Sequence, residues 1–244
     1  MDFKLEVIGF TIESCAAAQG AGASRIELCD NPAEGGTTPS HGFIKAARAL
    51  LSIPLCPIIR PRGGDFLYTD AEFEIMKTDI ILCKKLGSDA VVFGILLADG
   101  SVDKTRCREL VQLAYPMPVT FHRAFDRVAN AAQSLEAIIE MGFERILTSG
   151  LAPLATEGLD TIASLVKQAD NRIIIMPGSG VTAQNIREIR DKTGATEFHT
   201  SARTSLPSKM QFNNAGMMED LPSVGVDAME IEKMIACLKN MGSE

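Results

Sequence analysis

A single (β/α)8 barrel of the TIM type is the fold the sequence predicts, and three observations predict it. Short apolar strands alternate with helix-patterned segments, and eight such units can be counted. Each strand ends in a polar or glycine-rich cluster, as at VTFHRAFD (119–126), where Val119 and Phe121 alternate with Thr120 and His122. The length, 244 residues, is usual for this barrel, and 46% hydrophobic residues supply a large core, so residues 1–244 form one domain.

In chain order, residues 4–8 (KLEVI) are the first strand, and Thr11, Glu13 and Ser14 open an alanine-rich helix that runs to Gly22. Residues 25–29 (RIELC) repeat the plan, so that each of the two strands carries one interior glutamate, Glu6 and Glu27. The turn-rich stretch 31–40 leads into a helix over 41–51, which His41 starts. Strand three covers 54–60, and the loop 60–70 precedes a helix ending near Leu86. Strand four covers 90–96, with a helix over 103–114; strand five is the 119–126 stretch, with a helix over 131–141. Strand six is 145–149 and strand seven 172–176, the latter running into Gly178-Ser179-Gly180 and a helix over 182–192. Strand eight is 197–201; an irregular stretch, 203–225, and a helix over 227–241 close the chain. That irregular stretch exceeds what a βα connection needs, and a lid and an interface segment are both open readings of it.

Charge and composition narrow the function. A formal charge of −7 and a pI near 5.1, with no basic stripe, argue against nucleic acid as a partner. The longest apolar run, 90–98, is far shorter than the ~20 residues of a spanning helix, and the first residues lack an apolar leader, so neither a membrane partner nor secretion is expected. Six scattered cysteines without a C-x-x-C pair read as reduced, mostly buried cytoplasmic thiols. The methionines at 210, 217, 218, 229, 234 and 241 read as packing residues.

Barrels of this type work at the carboxyl ends of their strands. Outward strand positions pack on helices and must be apolar, so a polar residue within an apolar strand points inward. That rule selects Glu6, Glu27, Arg60, His122, Ser149, His199 and Ser201. Buried unpaired, such groups cost several kcal/mol each, so they pair with one another or with a ligand. One reading is a structural ion-pair network. The other is a site in which Glu6, Glu27 and His122 do acid/base work and Arg60 fixes an anion. Gly178, Ser179 and Gly180 precede a helix at the seventh unit, where barrels commonly hold phosphate with backbone N–H groups. No lysine stands at a strand end, which disfavours a Schiff base.

With these stretches in hand, the chain resembles the CutC copper-homeostasis family from about Leu5 to Asn214. The motifs are RIELCDNPAEGGTTPSHG (25–42), PIIRPRGGDFLYTD (57–70), VTFHRAFD (119–126), RILTSG (145–150), MPGSGV (176–181) and EFHTSAR (197–203). The resemblance implies a cytoplasmic barrel that forms a homo-oligomer, with a dimer favoured, has a role in copper tolerance and binds copper. It also implies that Glu6, Glu27, Arg60, Arg62, His122, Arg123, Ser149 and His199 occupy the family's recurring polar positions. Members proposed to bind Cu(I) carry a cysteine two residues after the first-strand glutamate, where this chain has Ile8, together with the second-strand cysteine, here Cys29. Cu(I) prefers thiolate and thioether ligands, so Cys29 needs a partner. Cys56, four residues below Arg60, sits ~13 Å beneath the rim; Met176 is the other soft side chain nearby.

Two function classes follow. The first is copper homeostasis with direct copper binding through Cys29. The second is an enzyme acting by acid/base chemistry on a small phosphate- or carboxylate-bearing metabolite, with or without a divalent metal such as Mg²⁺, Mn²⁺ or Zn²⁺ on the same glutamates and histidines.

Overall fold

The computed structural model describes residues 3–218 and 222–239. Strands β1 (Lys4–Gly9), β2 (Arg25–Leu28), β3 (Leu55–Pro57), β4 (Val91–Phe93), β5 (Val119–Phe121), β6 (Arg145–Thr148), β7 (Ile174–Pro177) and β8 (Glu197–Thr200) alternate with helices. These helices are α1 (Ile12–Gly20), α2 (His41–Leu50), α3 (Asp70–Lys85), α4 (Lys104–Ala114), α5 (Ala131–Glu140), α6 (Leu159–Ala169), α7 (Ile186–Thr193) and α8 (Ala228–Lys239). The strands form two parallel ladders, in the orders β3-β2-β1-β8 and β4-β5-β6-β7. The ladders join where Ile58 bridges Val92 and the Ile59 N–H donates to the Val92 carbonyl at 2.7 Å. At the other seam β7 packs on β8, and the chain is a (β/α)8 barrel as the sequence predicts.

Alternation along the strands divides the interior in two. Leu5, Val7, Ile26, Leu28, Phe93, Phe121 and Phe198 pack outward in one core with the helices. The positions between them face the barrel axis, where Ile8, Cys29, Cys56, Ile58, Ala90 and Val92 form a second, smaller apolar cluster. Five helices begin where the sequence supplies a side-chain acceptor for an otherwise unpaired first-turn N–H: Thr11, Ser40, Thr69, Asp103 and Asn130. At Thr69 the cap is reciprocal with Glu72.

The structure corrects several sequence expectations. Helix α6 is absent from the sequence reading; its start, Gly158, offers no capping side chain. Helix α7 begins at Ile186 rather than 182, because the Asn185 side chain reaches back to accept from the Thr182 N–H at 2.9 Å and holds 183–185 as a turn. The 203–225 stretch is regular at both ends, where β9 (Arg203–Leu206) pairs antiparallel with β10 (Ser223–Val226). Of the six methionines, only Met234 packs in the core; Met210, Met217, Met218 and Met229 are exposed on the hairpin connection and the outer face of α8, and Met241 lies outside the described residues, as does the end of the last expected helix. Among the described residues, no helix is long and apolar enough to cross a membrane.

Candidate functional site

The inward positions hold a chain of buried charges along the barrel axis. Arg145 Nε donates to Glu197 Oε2 at 2.7 Å, Arg25 Nη2 lies 2.7 Å from the same oxygen, and Arg25 Nε reaches Glu6 Oε2 at 2.5 Å. Glu6 Oε1 then meets His199 Nδ1 at 2.8 Å, and His199 Nε2 stands 3.8 Å from Glu27 Oε2. All six residues are buried. Removed from water, such charges are tolerable only when matched, and here each carboxylate is set beside a cation.

Position in this chain sets each group's protonation. Burial pushes the Glu6 carboxyl up, but the Arg25 guanidinium and the hydrogen bond from His199 overcome it and hold Glu6 below the usual carboxylate range. Glu27 has no such guanidinium bond, and burial raises it above that range. Burial lowers His199, but the Glu6 hydrogen bond and the Glu27 charge outweigh it and raise this imidazole. Glu6 is therefore the fixed anion of the set, and His199 stands between two carboxyls that favour its protonated form.

Above this chain a cavity of about 670 Å³ opens at the carboxyl ends of the strands. Glu27, Arg60, His122, Arg123 and His199 line it, with Phe66 from the loop after β3. His122 follows β5 directly, and its N–H continues the ladder to the Phe93 carbonyl at 3.2 Å. Its Nδ1 accepts from the Ala124 N–H at 3.3 Å, which places the ring proton on Nε2. Burial, helped by the Arg60 charge, lowers the imidazole to about 3, so it is neutral near pH 7. The ring lies against Phe66 at a centroid distance of 4.8 Å.

Arg60 reaches the wall from the β3 end, but its two Nη groups are committed. Nη1 donates to the Glu34 and Gly36 carbonyls at 2.7 and 2.8 Å, and Nη2 donates to the Gly64 carbonyl at 2.8 Å, fastening two loops together. The bidentate anion grip expected of Arg60 is thus occupied by backbone. Arg62 lies off the cavity, paired with Asp65 and Glu72. Ser149 donates to Asp126 at 3.0 Å and accepts from Arg123 at 2.8 Å, so it fixes Arg123 from behind rather than lining the cavity.

Ser179, Gly180 and Ser201 do line the cavity, whereas the Gly178 N–H is used by the Thr148 carbonyl at 2.9 Å. A Cβ on Gly178 would stand 2.5 Å from Leu147 Cδ1 and 3.3 Å from the His199 Cβ, so this glycine lets β7 approach β8. With α7 starting at Ile186, this turn does not feed a helix N-terminus, which removes half of the phosphate argument.

Cys29 is fully buried, its thiol faces Glu27, and burial with that neighbouring charge raises it well above the usual thiol range. Gly36, with φ +101°, packs over it: an added Cβ would lie 3.2 Å from Cys29 Sγ. Cys56 pairs in register with Glu27, one inward position below Cys29, and Met176 is occupied by Arg25 Nη2 at 2.9 Å from its sulfur.

Sequence reasoning missed Arg25, Arg145 and Glu197, although the alternation that selects Glu27, Ser149 and His199 places all three inward. It also missed Asp126, which accepts from Thr148, Ser149 and Leu151, and Arg203, which enters the cavity wall from β9 over the Phe10 ring at 4.9 Å. Only the folded chain brings those two and Phe66 to the site.

A sequence profile described as CutC family matches residues 3–204, which ends within β9. The copper homeostasis protein cutC homolog of Mus musculus is 50% identical over 215 residues, 88% of this chain and 79% of the relative. The CutC family protein of Chromobacterium violaceum is 49% identical over 227 residues, 93% of this chain and 91% of that one. Among solved structures, the putative copper homeostasis protein CutC from Streptococcus agalactiae superposes with a TM-score of 0.79 at 38% identity, covering 82% of this chain and 98% of that one. Phosphoribosyl anthranilate isomerase from Thermotoga maritima, at 15% identity and a TM-score of 0.62, shares the fold over 98% of this chain and 100% of its own. By its motifs, its barrel and these relatives, the chain belongs to the CutC family.

Proposed function

We propose that this chain serves copper homeostasis and that a copper ion is its cargo, bound at the floor of the cavity by Glu27, His199 and Cys29. One observation carries the proposal: Glu6, Glu27 and His199 bring ligand atoms within 4.8 Å of one another, with the Cys29 thiol facing Glu27. Glu6 stays bonded to Arg25 and anchors His199, which leaves a carboxylate, an imidazole and a thiol for the metal. Nitrogen and sulfur donors favour copper over Mg²⁺ or Ca²⁺.

Binding has to displace protons from Cys29 and His199, so affinity rises with pH. Gly36 has to yield for copper to reach Cys29. With no cysteine paired and five of the six buried, we place the chain in the reducing cytoplasm, and we assign it a homodimeric state through the exposed Met217, Met218 and Phe212. The test is a titration of metal-free, reduced protein with copper, Zn²⁺ and Mn²⁺ against chelators of known affinity. Stoichiometric copper binding lost in Cys29→Ser supports the proposal. Binding that Cys29→Ser and Glu27→Gln leave untouched refutes it.

A further inference from the structure

We infer that the cavity also takes a small carboxylate, one oxygen of which accepts the Nε2–H of His122. Four polar side-chain atoms are buried with no hydrogen-bond partner among the described residues: Arg60 Nε, Tyr68 Oη, Ser88 Oγ and His122 Nε2. Two of the four belong to side chains that line the cavity, Arg60 and His122, which are only 5% and 4% exposed. A buried donor without an acceptor is destabilising, and a native protein retains one where a ligand or water completes it.

The two donors are neighbours. Both side chains lie against the Phe66 ring, with Arg60 Cζ 5.0 Å and the His122 ring centre 4.8 Å from its centroid. Tyr68 is buried beside Arg60 and can turn its hydroxyl towards Arg60 Nε, so His122 is the donor that depends most on a ligand. Its proton position is fixed by the Ala124 N–H on Nδ1, and the ring is held by Phe66 and Phe121, so it cannot turn to find another acceptor. Gly94 keeps the ring there: a Cβ at that position would lie 2.9 Å from His122 Nδ1.

The charge of the ligand follows from the wall. Arg60, Arg123 and Arg203 line it, and of the three facing acids Glu230 is taken up by the Ala183 N–H at 2.7 Å, Asp227 accepts the Glu230 N–H at 3.1 Å, and burial raises Glu27 above the usual carboxylate range. An anion is the complementary partner. A neutral imidazole N–H is a single donor that one carboxylate oxygen satisfies, whereas a phosphate would have to rely on the turn at 178–180, whose first N–H is already used.

The inference is independent of copper, because His122 is outside the proposed metal ligands. Metal-free full-length protein, labelled with ¹⁵N-histidine, is titrated with acetate, pyruvate, citrate and, separately, inorganic phosphate. At least one carboxylate is expected to bind and to move the His122 Nε2–H resonance downfield, and His122→Phe, which keeps the stack on Phe66, is expected to weaken that binding about tenfold, the ~1.4 kcal/mol of one hydrogen bond. Copper titration of His122→Phe is expected to match wild type. The inference is overturned if no carboxylate shifts the resonance, if phosphate alone does, or if His122→Phe binds the carboxylate like wild type. The resonance is read on the wild-type chain, so the first two of these outcomes do not depend on the variant folding.

Discussion

His199 and Glu6 are hydrogen-bonded at 2.8 Å across the β8–β1 pair, and register places them side by side. That contact joins two levels of the barrel. Below it, Arg25, Glu197 and Arg145 form a closed set of ion pairs; above it, His199 offers its other nitrogen to Glu27 and the cavity. Through Glu6, which Arg25 binds, the lower charges hold one imidazole in place.

Removing Arg25 tests that role. Arg25→Met keeps the volume but leaves Glu6 and Glu197 without their shared partner, so unfolding by urea is expected to show a loss of about 3–5 kcal/mol. Adding Glu197→Gln to the variant should recover part of it. An Arg25→Met protein as stable as wild type would mean that the network is solvated and the barrel axis is wet.

His122 gives a pH dependence with a definite sign. Its folded value, about 3, lies below the ordinary histidine value near 6.5, so on acidification the unfolded chain takes up its proton first. The stability this group contributes is complete above about pH 6.5 and is lost as pH falls towards 3, at about 1.4 kcal/mol per pH unit. Comparing wild type with His122→Phe between pH 7 and 4 should show a shallower decline in the variant. Equal slopes would place the imidazole in water.

Much of the fold was legible because the strand alternation and the strand–helix count are strong, redundant signals. Helix α6 escaped for want of a capping residue at Gly158, and β9 with β10 escaped because sixteen residues separate the two strands in sequence, more than a tight hairpin turn uses. At the site, parity located Glu27, His122 and His199 at the axis, but it could not tell depth: Glu6 belongs to the buried ion pairs and not to the rim. Nor could it show that Arg60 spends its Nη groups on carbonyls, since those carbonyls belong to loops whose path only the fold determines.

Thiol labelling should follow the burial pattern. Cys237 is partly exposed, while Cys29 is fully buried beneath Gly36 with its thiol pushed above the usual range. In native protein at neutral pH, iodoacetamide followed by peptide mass spectrometry is expected to find Cys237 modified first and Cys29 after the others equilibrate or not at all. Early modification of Cys29 would show that the 31–36 loop opens readily.

Asp126 organises the rim between β5 and β6, accepting from the Ser149 and Leu151 N–H groups at 3.0 and 3.2 Å and from Arg123 Nε at 2.8 Å. Asp126→Ala strips these donors of their acceptor, with an expected cost of about 1–3 kcal/mol, and it frees Arg123. Thermal unfolding measures the first effect, and anion titration of the cavity measures the second. An unchanged midpoint would mean that water replaces the carboxylate.

The most direct test of the proposed role is an X-ray absorption spectrum of the reduced protein loaded with one equivalent of copper. The expected result is one sulfur scatterer with nitrogen and oxygen neighbours, the sulfur disappearing in Cys29→Ser. A first shell of oxygen alone, unchanged by Cys29→Ser, would contradict copper binding at the barrel floor.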